Sequence, residues 1–269
     1  MSTNSPVAAA RRVVVKLGSG VLSGGGAGLD AATLRRLAGE LVAARKTGRE
    51  IIIVSSGAIL AGRESLALKD KPSTEWKQAA AAVGQSRLMR AWEAAFAPHG
   101  VTVAQILLTA DDLRDRRRYL NARNTLLTLL RLGVVPIVNE NDTVATEEIK
   151  FGDNDELSAL VAGLTDAGLL VLLTDQEGLF TDDPRTHPAA RLVPIVRPGE
   201  THGRTGKAGP AGTGGMESKV RAARRAAKGG IAAVVAGGAQ TGILAALFAG
   251  RAAGTLFTPE DKPLTRRRQ

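Results

Sequence analysis

The chain has 269 residues, of which 44% are hydrophobic and 3% aromatic, so it can bury a sizeable core built from aliphatic side chains. It contains no cysteine, which excludes disulfides and thiolate chemistry and fits a reducing cytoplasm. The net charge of +10 suits an anionic small molecule or a nucleic acid. Its basic clusters at 114–118, 221–228 and 266–268 offer no aromatic stacking surface, which argues against single-stranded nucleic acid.

The amino terminus and the hydrophobic segments favour a cytoplasmic protein. The first 12 residues lack the order of a secretory signal, a charged stretch followed by an apolar one. The apolar runs, such as 51–54 and 168–173, are too short to cross a bilayer. We therefore expect no membrane partner.

Short aliphatic runs alternate with longer helical patterns along the chain. In chain order the sequence predicts strand 12–17, a helix from the Asp30 cap to about Thr47, strand 50–55, helices 58–68 and 74–97, strand 101–108, helix 119–131, strand 134–139, helix 155–164, strand 169–174, helix 217–228, strand 231–236, helix 241–249 and strand 254–257.

This alternation, with strands that are apolar throughout, predicts an α/β fold: a three-layer αβα sandwich with a mostly parallel central sheet. Ligands of such folds bind beyond the carboxyl ends of the strands. The predicted organisation is a disordered tail over 1–11, one domain over 12–258 and a basic tail over 259–269.

Two glycine turns follow the first two strands. Lys16 near the end of the first strand, with Gly18 and Ser19 behind it, can bind phosphate through backbone amides and the ammonium group. Ser56 and Gly57 follow the second strand and open a helix, where an anion is favoured. A tight turn and a helix cap would explain the same residues without a ligand.

Polar clusters follow the fourth and fifth strands. Residues 139–142 and 150–155 bring acidic and amide side chains next to an apolar strand, where they can hold a substrate ammonium, bind Mg²⁺ or orient lysines. Residues 173–184 combine a polar turn with glycine and an aromatic, and a nucleotide base or ribose could lie there. A solvated turn and a plain loop are the alternatives.

A fifth cluster, 212–219, leads glycines into a helix that carries Lys219 on its first turn. The preceding Gly-rich stretch 197–215 is interpreted as a lid, with a linker as the alternative. Two lysines from opposite ends of the chain, Lys16 and Lys219, suit transfer of a phosphoryl group to a carboxylate, because both reactants are anions. No general base is needed for an ionised carboxylate, and none of the three histidines stands in a catalytic or metal-binding spacing.

Seven motifs together resemble the glutamate 5-kinase family over residues 12 to 258. They are VVKLGSGVL, IVSSGAILAGRE, AAAVGQSRLM, YLNARNTL, VPIVNENDTVATEEIKFGDNDELSALVA, LLTDQEGLFTDDPR and GTGGMESK. The resemblance implies the amino-acid kinase fold, with an amino-terminal lobe for glutamate and a carboxyl-terminal lobe for ATP. It implies phosphorylation of glutamate with ATP and Mg²⁺ in proline biosynthesis, homo-oligomers (a dimer or a tetramer) and feedback by proline.

The same resemblance assigns roles residue by residue. Lys16 and Lys219 would stabilise the transferring phosphoryl group and Asp155 would orient both lysines. The substrate would be bound by Ser56, Gly57, Asp142 and Asn154. ATP would be bound by Lys16, Gly18, Ser19, Thr174, Asp175, Thr213, Gly214, Gly215, Met216, Glu217, Ser218 and Lys219. Mg²⁺ would arrive with ATP, without a protein metal site.

Three features depart from the family pattern, one of which is that the Gly-rich stretch between Pro194 and Gly212 lacks the helical pattern expected there. Many members carry a carboxyl-terminal PUA domain, and this chain ends near where that domain would begin, as a short form or a truncation. Glu217 adds a negative charge to the phosphate-binding loop, and we expect it to point away from the phosphates. The alternatives are a related kinase with another acidic substrate, or a non-catalytic regulator or nucleic-acid binder on the same scaffold.

Overall fold

The computed structural model describes residues 5–66, 73–145, 154–201 and 215–260. The strands are β1 (Arg12–Leu17), β2 (Glu50–Ser55), β3 (Val103–Leu108), β4 (Val135–Glu140), β5 (Leu169–Thr174), β6 (Ile195–Val196), β7 (Ala232–Gly237) and β8 (Thr255–Phe257). The helices are α1 (Pro6–Ala9), α2 (Ser19–Leu22), α3 (Ala31–Lys46), α4 (Ala58–Ser65), α5 (Thr74–Phe96), α6 (Ala110–Arg114), α7 (Arg116–Arg131), α8 (Asn154–Leu164), α9 (Met216–Lys228) and α10 (Ile243–Phe248), with a 3₁₀ turn at Ala97–His99.

Within these residues the strands form one sheet in the order β3-β4-β2-β1-β5-β7-β8-β6. Neighbouring strands are parallel except for the β7–β8 pair. The predicted α/β class and the mostly parallel sheet are therefore confirmed. From the central strand β1, the chain first builds the sheet towards β3 and then returns to add β5 on the other side, so β1 lies at a topological switch point.

Two hydrophobic cores cover the two faces of the sheet. Strand β1 contributes side chains to both cores, because successive side chains point to opposite faces. Val13, Val15 and Leu17 face the core that includes α3, α5 and α10. Val14 faces the core that includes α8 and α9. Because side chains alternate along a strand, Lys16 lies on the same face as Val14 and is directed towards the α8–α9 layer. The three-layer arrangement therefore decides which helices Lys16 can meet.

Helix α3 begins where the sequence predicted it. The Thr33 hydroxyl donates a hydrogen bond to the Asp30 carboxylate, as do the backbone amides of Thr33 and Ala32. These bonds, the hydroxyl's most of all, hold the Asp30 pKa below its ordinary value. Its apolar stripe, Leu34, Leu37 and Leu41, is buried against the sheet.

Helices α4 and α5 cross at very short range because glycines stand at the crossing. A Cβ atom on Gly84 would lie 1.8 Å from the Ala58 carbonyl oxygen, and one on Gly62 would lie 1.8 Å from the Ala80 carbonyl oxygen. Only a residue without a side chain fits such an approach. The crossing places α5 directly against the turn that follows β2.

Four short elements, α1, α2, α6 and β6, differ from the sequence-based expectation. The predicted disordered tail over 1–11 contains α1, because Val7 is buried and packs into the same core as α10. That helix has four residues, too few for a periodicity to show. The sequence also missed α6 and the two-residue strand β6, which pairs with β8 at the edge of the sheet.

Part of the predicted lid and tail lies outside the described residues, namely 202–214 and 261–269. Among the helices that the structure describes, none combines the length and apolar character that a bilayer span requires.

Candidate active site

The carboxyl ends of β1, β2, β4 and β5 meet at one edge of the sheet, and the predicted site residues lie there. Lys16 on β1 stands in register with Val54 of β2 on one side and with Leu172 of β5 on the other. Strand β4, beyond β2, leads into the acidic and amide cluster, whereas β5 leads into the loop that carries Phe180. The switch point thus separates two halves of a single cleft.

A buried cluster of ionic groups occupies the middle of this edge. Lys16 Nζ lies 2.6 Å from Asp155 Oδ1, and Lys219 Nζ lies 3.1 Å from Asp155 Oδ2. The Ser218 hydroxyl donates to the same Oδ2 at 2.7 Å. The exposed fractions of the Lys16, Lys219 and Asp155 side chains are 3%, 7% and 0%. One carboxylate therefore holds two ammonium groups from chain positions 203 residues apart.

Helix geometry explains how these three groups meet. Asp155 lies in the first turn of α8, where the helix dipole favours a carboxylate. Lys219 lies in the first turn of α9, which packs beside α8 on the face of the sheet that Lys16 also faces. The amino-terminal ends of both helices thus converge on the end of β1. Ordered cations and amide groups of this kind can bind a polyphosphate.

Amide and hydroxyl groups line the β2–β4 side of the cluster. Asn154 Nδ2 donates to the Ser56 hydroxyl at 3.0 Å and to Asn139 Oδ1 at 2.9 Å. Gly57 adopts φ +108°, a conformation that favours glycine, and caps α4. Asp142 lies half-buried in the turn after β4. Neutral donors and a carboxylate beside the lysines are suited to an amino-acid substrate.

A pocket opens on the β5 side. Thr174 is buried at the end of β5, and its hydroxyl donates to the Asp175 carboxylate at 2.8 Å. The loop that follows this turn lines a pocket with Phe180 and Asp183, and Met216, the first residue of α9, also lines it. Hydrogen bonds from Arg185 lower the pKa of Asp183 to about 2, so its carboxylate is ionised at neutral pH. An aromatic ring and a charged carboxylate therefore lie beside the first residue of α9, the helix that carries Lys219.

Comparison with known proteins identifies the family. The model of the Amino acid kinase family matches residues 11–237. The chain belongs to the amino acid kinase family. It is 53% identical to the glutamate 5-kinase of Pelobacter propionicus over 262 residues, which cover 96% of this chain and 70% of that protein. It is 52% identical to the glutamate 5-kinase of Nitrosococcus oceani, over 98% of this chain and 72% of that protein. The resemblance to glutamate 5-kinases stated from the motifs is thereby confirmed.

A solved structure supports the fold of this amino acid kinase. The UMP kinase from Bacillus anthracis superposes with a TM-score of 0.61 over 93% of this chain and 97% of that one, at 16% sequence identity. At that identity the likeness establishes the shared amino acid kinase fold alone.

The structure brings most predicted site residues of this amino acid kinase to one edge of the sheet. Gly18 connects β1 to α2 as its amino-terminal cap, Ser19 begins α2, and Gly215 caps α9. Glu217 is exposed, whereas Ser218 and Lys219 turn towards Asp155. Thr213 and Gly214 lie outside the described residues. No group of three or more His, Asp or Glu side chains within the described ranges is arranged to hold a metal ion.

Sequence reasoning assigned no role to two amides that the structure places at the site. Asn139 stands within the predicted polar cluster after β4, and Gln85 stands within the motif AAAVGQSRLM. Asn139 Nδ2 donates to Gln85 Oε1 at 2.9 Å. The only sequence signal for Gln85 was its place in that motif, since a glutamine on a helix predicts no contact with a strand end.

Proposed function

We propose that this amino acid kinase transfers the γ-phosphoryl group of ATP to the γ-carboxylate of glutamate, forming glutamyl 5-phosphate, the first step of proline biosynthesis. The observation that carries this proposal is the pair Lys16 and Lys219, held by the single carboxylate of Asp155 beside the hydrogen-bonded amides of the β2–β4 side. The 53% identity to a glutamate 5-kinase supports glutamate as the substrate.

The chemistry needs two anions to approach each other. A carboxylate oxygen of the substrate attacks the γ-phosphorus, the new P–O bond forms, and the bond to the bridging oxygen of ADP breaks. No proton has to be removed, because the side-chain carboxylate is already ionised at neutral pH. The protein contributes alignment and positive charge, which is how enzymes of phosphoryl transfer act in general.

Each side chain of the cluster has a part in this step. Lys16 and Lys219 place their ammonium groups next to the transferring phosphoryl group and offset the charge that develops on its oxygens. Asp155 and Ser218 hold the lysines in place. Mg²⁺ entering with ATP would supply further neutralisation of the phosphate charge.

The substrate side is formed by Ser56, Gly57, Asp142 and Asn154. The Ser56 hydroxyl and the Asn154 amide are hydrogen-bonded to each other and lie beside the end of β1. Asp142 can pair with the α-ammonium group of an amino acid. Thr174, Asp175 and the pocket behind them take the nucleoside, and Gly18, Ser19 and the amino-terminal end of α9 take the phosphates.

Trapping of the acyl phosphate tests the proposal. The purified protein is incubated with ATP, Mg²⁺ and hydroxylamine, and the hydroxamate is measured with glutamate, aspartate or N-acetylglutamate in parallel. We expect a hydroxamate with glutamate and little with the other two acids. Hydroxamate formed preferentially from aspartate or N-acetylglutamate would indicate the alternative substrate. ATP left intact in the presence of glutamate would refute the kinase assignment.

Three further expectations stay predictions. We propose that the protein forms a homo-oligomer, that proline inhibits it by feedback, and that it works in the cytoplasm. Light scattering on the purified protein tests the first, and the hydroxamate assay with added proline tests the second. Fractionation of its native cells tests the third.

A further inference from the structure

Three carboxamides form a hydrogen-bonded chain on the substrate side of the cleft. Gln85 lies on α5, Asn139 lies near the end of β4 and Asn154 begins α8. Asn154 Nδ2 donates to Asn139 Oδ1 at 2.9 Å, and Asn139 Nδ2 donates to Gln85 Oε1 at 2.9 Å. These hydrogen bonds therefore connect helix α5, on one face of the sheet, to Asn154, which bonds Ser56.

The orientation of every amide in this chain is determined by its neighbours. Asn139 Oδ1 also accepts from the backbone amide of Glu140 at 2.9 Å, and a backbone N–H can only donate. Asn139 must therefore direct its Nδ2 away from β4 and towards Gln85. Gln85 in turn must present its oxygen, because two NH₂ groups cannot bond to each other.

Close helix packing brings Gln85 within reach. Its neighbour Gly84 lets α5 approach the Ala58 carbonyl so closely that a Cβ there would lie 1.8 Å from the oxygen. Ala58 directly follows Ser56 and Gly57 and begins α4. The same approach that packs α5 on this turn places the side chain of the next residue, Gln85, against the amide of Asn139.

The far end of the chain carries a hydrogen-bond acceptor for the substrate. With its Nδ2 engaged by Ser56 and Asn139, Asn154 turns its Oδ1 away, and this oxygen is buried with no hydrogen-bond partner among the residues that the structure describes. A buried acceptor without a partner is costly, so a ligand that donates to it gains affinity. Rotation of the Asn139 amide would release Asn154 Nδ2 and lose this arrangement.

We propose that Gln85 is a positioning residue of the substrate site. Its Oε1 holds the Asn139 amide, and Asn139 holds Asn154 against Ser56 in the orientation that receives the amino acid. The inference rests on the proposed function, in which Ser56 and Asn154 bind glutamate. Gln85 acts through Asn139 and has no part in the phosphoryl transfer at the lysines.

Replacement of Gln85 by methionine tests the proposal. Gln85→Met keeps the length of the side chain but removes the acceptor, and leaves Asn139 Nδ2 without its partner. We expect the KM for glutamate to rise about 10-fold, because part of the binding free energy must then restore the orientation of Asn139 and Asn154 that Gln85 holds in the wild type. The kcat should stay within about threefold and the KM for ATP should not change. Titration calorimetry with glutamate alone should show the same loss of affinity.

Two further variants separate positioning from packing. Gln85→Glu retains an oxygen that can accept from Asn139 and should recover most of the affinity. Arg87→Met introduces the same residue on an exposed position of α5 and should leave the KM for glutamate unchanged. If Gln85→Met does not fold, Gln85→Asn, whose amide is one methylene shorter, provides the same comparison.

A double-mutant cycle with Asn139→Ala tests whether Gln85 affects glutamate binding through Asn139. If Gln85 acts through Asn139, its replacement should have little further effect in the Asn139→Ala background. An equal rise of the KM in both backgrounds, or an unchanged KM in Gln85→Met, would overturn the inference while an active wild type upholds the proposed function. A wild-type protein that does not phosphorylate glutamate would overturn the proposed function itself.

Discussion

The proposed mechanism depends on the carboxylate of Asp155, and replacing this residue tests it directly. Asp155→Asn keeps the shape of the side chain and removes its negative charge. In the structure this carboxylate bonds Lys16 at 2.6 Å, Lys219 at 3.1 Å and the Ser218 hydroxyl at 2.7 Å, and its side chain has 0% exposure. The substitution therefore leaves two buried ammonium groups beside a neutral amide.

The expected loss of stability follows from the burial of this ion pair. Removing one partner from a buried ion pair typically costs about 3–5 kcal/mol. For a chain of this size, that loss corresponds to a fall in Tm of roughly 6–20 °C at about 2–4 °C per kcal/mol. Because both lysines lose their orientation, we expect kcat to fall by about 10²–10³-fold, the usual effect of losing preorganised charge stabilisation.

The assay compares Asp155→Asn with a matched change on the same helix. Glu156→Gln is also an acid-to-amide change on α8, and its carboxylate pairs with Arg225 of α9 outside the lysine cluster. The Arg225 side chain is 53% exposed, so this pair should contribute no more than about 1 kcal/mol. Calorimetry gives the two Tm values, and hydroxamate formation gives the two kcat values.

One outcome of this comparison would refute the proposed role of Asp155. If Asp155→Asn loses no more stability than Glu156→Gln, or keeps its kcat within about tenfold of wild type, the carboxylate does not orient the lysines for catalysis. The proposed role of Lys16 and Lys219 would then lose its structural basis.

Three further substitutions separate turnover, substrate binding and packing. Lys219→Met should lower kcat by about 10²–10³-fold with little change in the calorimetric affinity for glutamate, and a large loss of that affinity would contradict its role at the phosphoryl group. Asp142→Ala should instead weaken glutamate binding, and unchanged affinity would refute its assigned contact, with the exposed neighbour change Thr143→Ala as control. Gly84→Ala should destabilise the protein by about 1–3 kcal/mol and raise the KM for glutamate, because its methyl group would overlap the Ala58 carbonyl. A Gly84→Ala protein with wild-type Tm would show that α5 can move aside.

Much of the fold could be predicted from local patterns. Strands β1, β2 and β5 begin and end where their aliphatic runs do, and Asp30 caps α3 as its side chain predicts. These features depend on residues near each other in the chain. The short elements α1, α6 and β6 gave no such pattern, because two to five residues are too few to show a period.

The candidate site was predictable in its parts but not in its connections. Lys16, Asp155 and Lys219 each stand beside a predicted strand or helix end, and the rule that ligands bind at the carboxyl edge of a parallel sheet placed them in one region. The Asp155 carboxylate can bond both lysines only because α8 and α9 pack side by side. Gln85 was missed as a site residue because its contact with Asn139 joins residues 54 positions apart on different layers.

The sequence by itself determined the longer strands and helices and the clusters that follow the strands, since side-chain periodicity and turn chemistry act over a few residues. The tertiary structure alone decided the strand order that makes β1 the switch point, the face to which Lys16 turns, and the glycine-mediated approach of α5. These features arise from packing between distant segments, and a buried charge or amide acquires its partner only when that packing is complete.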